Sequence, residues 1–146
     1  MRFLGIDYGR KRVGLAISDE MGRLAFPLKI LRNSPDLLDL IHNLCGEENI
    51  SEIVLGQSLD FSGQPNAIMA QIEEFKEEIS KLGLPVHFEK EFLTSVEARR
   101  EVRKEKNTAR KIKRPKRKEV DASAAALILQ RYLDRKKTLK KVLLKV

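Results

Sequence analysis

Phe3-Leu4-Gly5-Ile6-Asp7-Tyr8-Gly9-Arg10-Lys11-Arg12-Val13-Gly14-Leu15-Ala16-Ile17-Ser18 holds two apolar runs on either side of a short polar turn. The runs read as strands over Phe3–Asp7 and Arg12–Ser18, with Gly9 free to take the backbone conformations a tight turn demands. A second turn, Asp19-Glu20-Met21-Gly22, leads into a third apolar run, Leu24–Leu31. Three strands joined by tight turns make an antiparallel meander.

Downstream the pattern changes to alternating helix and strand. Ser34 suits a helix N-cap, Pro35 the first helical position and Asp36 the positive end of the helix dipole. Leu37, Leu40, Ile41 and Leu44 recur at helical spacing, and Gly46 marks the expected stop. Ser51–Gly56 carries Ile53-Val54-Leu55, the pattern of a strand covered on both faces. After a loop over Gln57–Gln64, a helix to about residue 82 turns Ile68, Ile72, Phe75 and Ile79 inward and a row of glutamates outward. Gly83 and Pro85 end it, and Pro85–Glu91 is a short strand. Thr94-Ser95-Val96-Glu97 has the form of a capping box and opens a further helix. Residues 106–118 read as a loop, and Val120–Leu133 as the last helix. A meander followed by β-α-β steps predicts an α/β fold: a mixed five-stranded sheet with helices on both faces.

A chain of 146 residues favours one domain. We read residues 1–134 as that domain and 135–146 as a basic C-terminal extension. Cys45, the sole cysteine, falls in an apolar helix face and reads as a packed thiol. With no long apolar run and no signal-peptide pattern, a cytoplasmic protein without membrane contact is expected. The net charge of +8 is unevenly spread. Residues 99–118 hold twelve Lys or Arg against two Glu, and residues 135–146 add six more, leaving eleven basic and nineteen acidic residues elsewhere. An acidic body with two basic appendages points to a nucleic-acid partner gripped by the appendages, although solvated helix faces have the same composition.

Three of the acids lie where solvation explains them least. Asp7 ends the first strand, which such a sheet places at its centre. Glu91 ends the strand Pro85–Glu91. Asp121 opens the last helix on the stripe formed by Ala124, Ala125, Ile128, Leu129 and Tyr132, whose alanines let that helix approach the sheet closely. Carboxylates gathered in a partly desolvated place need a cation. Oxygen ligands without clustered cysteine or histidine select Mg²⁺ or Mn²⁺. Two such ions, about 3.5–4 Å apart, can activate water and stabilise the leaving oxygen of a phosphodiester. Taken singly, Asp7 also reads as a turn residue, Asp121 as an N-cap and Glu91 as a surface acid beside Lys90.

The run Leu4–Ala16 resembles the opening signature of the YqgF/RuvX family, and Val120-Asp121-Ala122-Ser123-Ala124-Ala125 with Ile128-Leu129-Gln130 resembles its closing signature. Val54-Leu55-Gly56 with Gly63, and Glu91-Phe92-Leu93-Thr94-Ser95, fall between them in the family's order. The resemblance spans residues 1 to about 134. It implies a ribonuclease H-like fold, kinship with Holliday-junction resolvases, a role in maturing the 5′ end of pre-16S ribosomal RNA, and Asp7, Glu91 and Asp121 as an acidic, metal-binding, catalytic triad. The chain departs from the family pattern at Lys90 and Phe92, where an aspartate and an arginine are usual, and at Ser58 and Asp60, where proline and asparagine are usual.

Arg10 and Arg12, directly after Asp7, are the expected contacts to phosphates flanking the scissile bond. Arg99, Arg100 and Arg103 on the predicted helix, and Lys111, Lys113, Arg114 and Lys116 in the loop, are the expected wider nucleic-acid contacts. The expected function is a metal-dependent nuclease with RNA favoured as substrate, a branched DNA substrate open, and a pre-ribosomal particle as possible partner. A monomer and a homodimer fit equally. Rival readings are a non-catalytic RNA-binding assembly factor and, from Gly5-Ile6-Asp7-Tyr8-Gly9, a phosphotransferase of the actin-like fold, which would need a second such domain.

Overall fold

Alternate residues of the first strand face two different cores, and this alternation organises the molecule. In the computed structural model, residues 1–58, 67–90 and 117–144 are described, without the side chains of residues 117–121. Strands β1 (Arg2–Tyr8), β2 (Arg12–Ser18) and β3 (Ala25–Arg32) form the meander. Helix α1 (Leu37–Glu47), strand β4 (Ile50–Gln57), helix α2 (Met69–Ser80) and strand β5 (Val86–Lys90) follow, and a long helix α3 (Arg117–Leu144) ends the described chain. The sheet order is β3-β2-β1-β4-β5. The β1–β2 and β2–β3 pairs are antiparallel, and β1–β4 and β4–β5 are parallel. The mixed five-stranded sheet, with β1 at its centre, is the one read from the sequence.

Leu4, Ile6, Val13, Leu15, Ile53 and Leu55 point to one face, where α1 and α2 bury them. Phe3, Ala16 and Val54 point to the other, under Ala125, Ile128, Leu129 and Leu133 of α3. Helices therefore cover both faces. Cys45 is buried in the first core, and burial pushes its thiol up to about 11.

Several local expectations shift. Helix α1 starts at Leu37 with Asp36 at the cap position and no side-chain cap bond, so neither Ser34 nor Pro35 opens it; Ser34 instead offers its carbonyl to the Leu37 N–H at 3.0 Å. Gly46 lies inside α1, and the reversal comes at Asn49, whose φ of 54° lies in the left-handed region that Asn tolerates better than most residues. Leu40 is exposed, because Leu37, Ile41, Leu44 and Cys45 already fill the inward stripe. In the β2–β3 turn, Gly22 takes φ 66° and the Asp19 carboxylate accepts the N–H groups of Arg23 and Leu24. Those bonds hold the Asp19 carboxyl below its ordinary range.

The last helix is longer than the expected Val120–Leu133 at both ends. Residues 117 and 118, read as loop, are helical, so position 121 lies inside α3 and is no N-cap. At the other end the helix runs on into the basic extension. Its first residues pack on the sheet: Arg135 Nη2 lies 2.6 Å from Glu89 Oε2, and Lys136 Nζ lies 3.4 Å from Glu52 Oε2 and 4.7 Å from the centre of the Phe3 ring. From residue 137 to 144 every residue is exposed.

What lets α3 sit so close is Gly5. A Cβ built there would stand 2.8 Å from Leu129 Cβ and 3.0 Å from the Ala125 carbonyl oxygen. Gln130 fixes the helix lengthwise, accepting the Ala25 N–H and donating to the Arg23 carbonyl, both at 2.9 Å. Gly5→Ala is expected to destabilise the fold by about 1–3 kcal/mol, since one obstacle is helix backbone that cannot rotate away. Urea unfolding should show a lower midpoint with an unchanged slope; a wild-type midpoint would mean that α3 is not seated on Gly5.

Candidate functional site

Asp7 is half-buried on β1, and strand alternation puts it with Phe3 and Gly5 on the face that α3 covers. Its partner on β2 is Gly14. On the other side β4 pairs Ile6 with Leu55, so Gly56 follows beside Asp7, and Gly56 pairs with Glu89 of β5. Gly14 pairs with Ile30 of β3. One row thus crosses the α3 face of the sheet: Ile30, Gly14, Asp7, Gly56, Glu89. The strands flanking Asp7 contribute no side chain there.

Helix α3 runs antiparallel to β1. Phe3 meets Tyr132, with ring centres 6.0 Å apart, and Lys136, whereas Gly5 meets Ala125 and Leu129. A further two residues along β1 advance about 6.6–6.8 Å. At about 1.5 Å per helical residue that distance is a little more than one turn of α3. Position 121 lies one turn before Ala125.

Of the sequence-predicted site residues, Asp7, Arg10 and Arg12 are described. Residue 121 is described as part of α3, its side chain not. Glu91 follows Lys90, the end of β5, and lies outside the described residues, as do Arg99, Arg100, Arg103, Lys111, Lys113, Arg114 and Lys116, and the capping box with its helix. Asp60 and Gly63 lie outside them too. Among the described residues no group of three His, Cys, Asp or Glu comes together.

Two charged residues near Asp7 had no sequence signal of their own. Glu89 is 7% exposed and held by Arg135. Alternation within β5, with His87 on the same face stacked on Tyr132 at 5.2 Å, is the pattern that marks Glu89 as inward. Arg32 ends β3 directly opposite Arg12. It lines, with Arg10, Lys11, Arg12, Ile30 and Asn33, an open cleft of about 610 Å³. Asn33 ties the cleft together: its Nδ2 donates to the Gly9 carbonyl at 2.8 Å and its backbone N–H to the Lys11 carbonyl at 2.8 Å.

A mixed five-stranded sheet with an acid at the end of its central strand and a C-terminal helix laid across it defines the ribonuclease H-like class. Solved structures agree on the fold. Thermus thermophilus RuvC in complex with a Holliday junction substrate superposes with a TM-score of 0.56 at 16% identity, covering 94% of this chain and 96% of that one. The fowlpox virus resolvase in complex with Holliday junction DNA gives 0.53 at 12% identity, covering 92% and 98%. Residues 1–135 match the family described as "RuvX: Holliday junction resolvase", and the chain belongs to that family. Curated relatives carry the name "Putative pre-16S rRNA nuclease". The one from Anaeromyxobacter sp. (strain Fw109-5) is 37% identical over 92% of this chain and 97% of its own length. That from Lactiplantibacillus plantarum is 39% identical over 92% and 95%. That from Leuconostoc mesenteroides is 36% identical over 97% and 100%.

Proposed function

We propose that the protein is a metal-dependent nuclease that hydrolyses phosphodiester bonds in pre-16S ribosomal RNA at its 5′ end, in the cytoplasm, with Asp7, Glu91 and Asp121 as catalytic metal ligands. The observation that carries this reading is the register of α3 on β1. It supports a carboxylate at position 121 close to Asp7, on a stretch of sheet where the flanking Gly14 and Gly56 contribute no side chain. Glu91 has the sequence parity of His87 and Glu89, which both face α3. The donor set is all carboxylate, which fits Mg²⁺ or Mn²⁺.

When bound, the ions supply an activated water and charge stabilisation for the leaving oxygen. The chain's own residues supply the rest. Asp7 is held rigidly because its strand is paired on both sides, a firmer mount than a loop would give. Glu89 keeps the long Arg135 side chain folded against the sheet. Arg12, on the same face one strand from Asp7, is poised to hold a flanking phosphate.

RNA is favoured over branched DNA by the names of the curated relatives. Among the described residues no helix is long and apolar enough to cross a membrane. The test is incubation of the purified protein with a pre-16S 5′ fragment, matched single-stranded and duplex RNA, and a four-way DNA junction, each with Mn²⁺ or with chelator. Metal-dependent cleavage confined to RNA supports the proposal. Cleavage of the junction alone makes the chain a resolvase. Binding without cleavage of any substrate makes it an assembly factor.

A further inference from the structure

Among the described residues, the cleft at the β1–β2 turn is lined by four cations and no acid. Arg12 and Arg32 are direct cross-strand partners on the α3 face, with Arg10 and Lys11 at the adjoining turn. All four are exposed, and none forms an ion pair among the described residues. Like charges placed directly opposite in a sheet destabilise it. This sheet not only tolerates such a pair but braces it, through the two Asn33 bonds that hold the β1–β2 turn to the end of β3. The bracing depends on Gly9, where a Cβ would stand 2.5 Å from the Arg12 carbonyl oxygen. A preorganised cluster of guanidinium groups is the arrangement that phosphate oxygens reward. Strand spacing puts the Arg12 backbone about 8 Å and the Arg32 backbone about 12 Å from that of Asp7, on the same face.

We propose that this cleft is a phosphate-binding subsite for the nucleic-acid backbone, and that Arg32, with Arg12, holds the strand on the β3 side of Asp7. The proposal rests on the nuclease reading for what happens at Asp7, and adds the direction in which the substrate leaves it. Arg32 is the residue that separates the two ideas. It is too far along the sheet to act at Asp7 itself, and nothing in the sequence singles it out.

The test measures binding of a fluorescent single-stranded RNA, in chelator and across a salt series, by Asp7→Asn protein carrying Arg32→Gln, Arg12→Gln, both, or the control Lys81→Gln just past the C-terminal end of α2. Each of the two arginine changes should weaken binding roughly tenfold at low salt. Each should also flatten the log–log salt slope by about 0.7, and the double change by about twice that. Lys81→Gln should leave the slope alone. Arg32→Lys should restore the slope, since it restores the charge. Thermal melts guard against misfolding: without RNA the Arg32→Gln protein should melt no lower than its parent, and RNA should raise its melting temperature less. Unchanged slopes in both arginine variants, or an equal effect of Lys81→Gln, would overturn the subsite. Cleavage by the wild type is measured separately. If the wild type cuts RNA while the arginine changes leave binding untouched, the subsite falls and the nuclease stands. If it cuts nothing while the arginine changes weaken binding as stated, the subsite stands and the nuclease falls.

Discussion

Asp7→Asn lowers the rate of phosphodiester cleavage by an expected factor on the order of a thousand, with the protein still folded. The substitution keeps the shape of the side chain and removes the charge that, on the proposed reading, holds a divalent cation. Because β1 is paired on both sides, the backbone beneath residue 7 has no freedom to bring another oxygen into its place. Glu91→Gln and Asp121→Asn should each cost a similar factor. Combining two of the three should cost little more than one, since ligands that act as a unit are far from additive. Chelator should take the wild type to the same floor. Single-turnover cleavage of whichever substrate proves active, followed with circular dichroism on each variant, makes the check. Wild-type rates in any one of the three variants would remove that residue from the site.

The second large effect is on stability, and it has the opposite sign. Acids brought together without a cation repel one another, so folding works against the site when metal is absent. On the proposed assignment, Asp7→Asn removes one of these charges. In chelator the variant is therefore expected to melt several degrees above the wild type, as about 1 kcal/mol shifts a domain of this size by roughly 2–8 °C. Excess Mg²⁺ should raise the wild type by mass action on the native state and raise the variant much less. Four melts, two proteins each with Mg²⁺ and with chelator, decide it. Equal metal-induced shifts, or a variant that melts clearly lower in chelator, would make Asp7 a structural residue of the β1–β2 turn.

The architecture was readable because its signals are local. The two turns of the meander and the unbroken apolar run Ile53-Val54-Leu55 were enough to make β1 central, and centrality put Asp7 at the middle of the sheet. The alanines of the last helix pointed to close approach, and Ala125 does lie over Gly5. What the sequence hid was register. The pairing of Arg12 with Arg32 depends on an irregularity in the β2–β3 ladder between Leu15 and Ala16, which no periodicity shows. Glu89 lay in a strand already assigned a terminal acid, and its burial follows only once Arg135 is known to reach it from α3. Arg135 itself was read as the start of a basic extension, because composition registers a basic run but not which of its members lie against the sheet. Helix ends failed for a similar reason. Gly46 and Ser34 have the chemistry of a stop and a start, yet the packing of Leu37 and Cys45 against β4 set the limits of α1.

Helix α3 is the last described element, and it covers the very face on which Asp7 lies. During synthesis the chain emerges from its N-terminus, so the meander and β4 can pair before α3 exists. Until then Phe3, Ala16 and Val54 lie bare, and Asp7 has no helix above it. On our assignment of Asp121, a half-made chain carries only part of its cutting site and is catalytically silent. Competence arrives in one late step, when the final helix docks on Gly5 and Gln130 reaches the Arg23 carbonyl. On that assignment, cleavage waits on the docking of α3 and not on the pairing of the sheet.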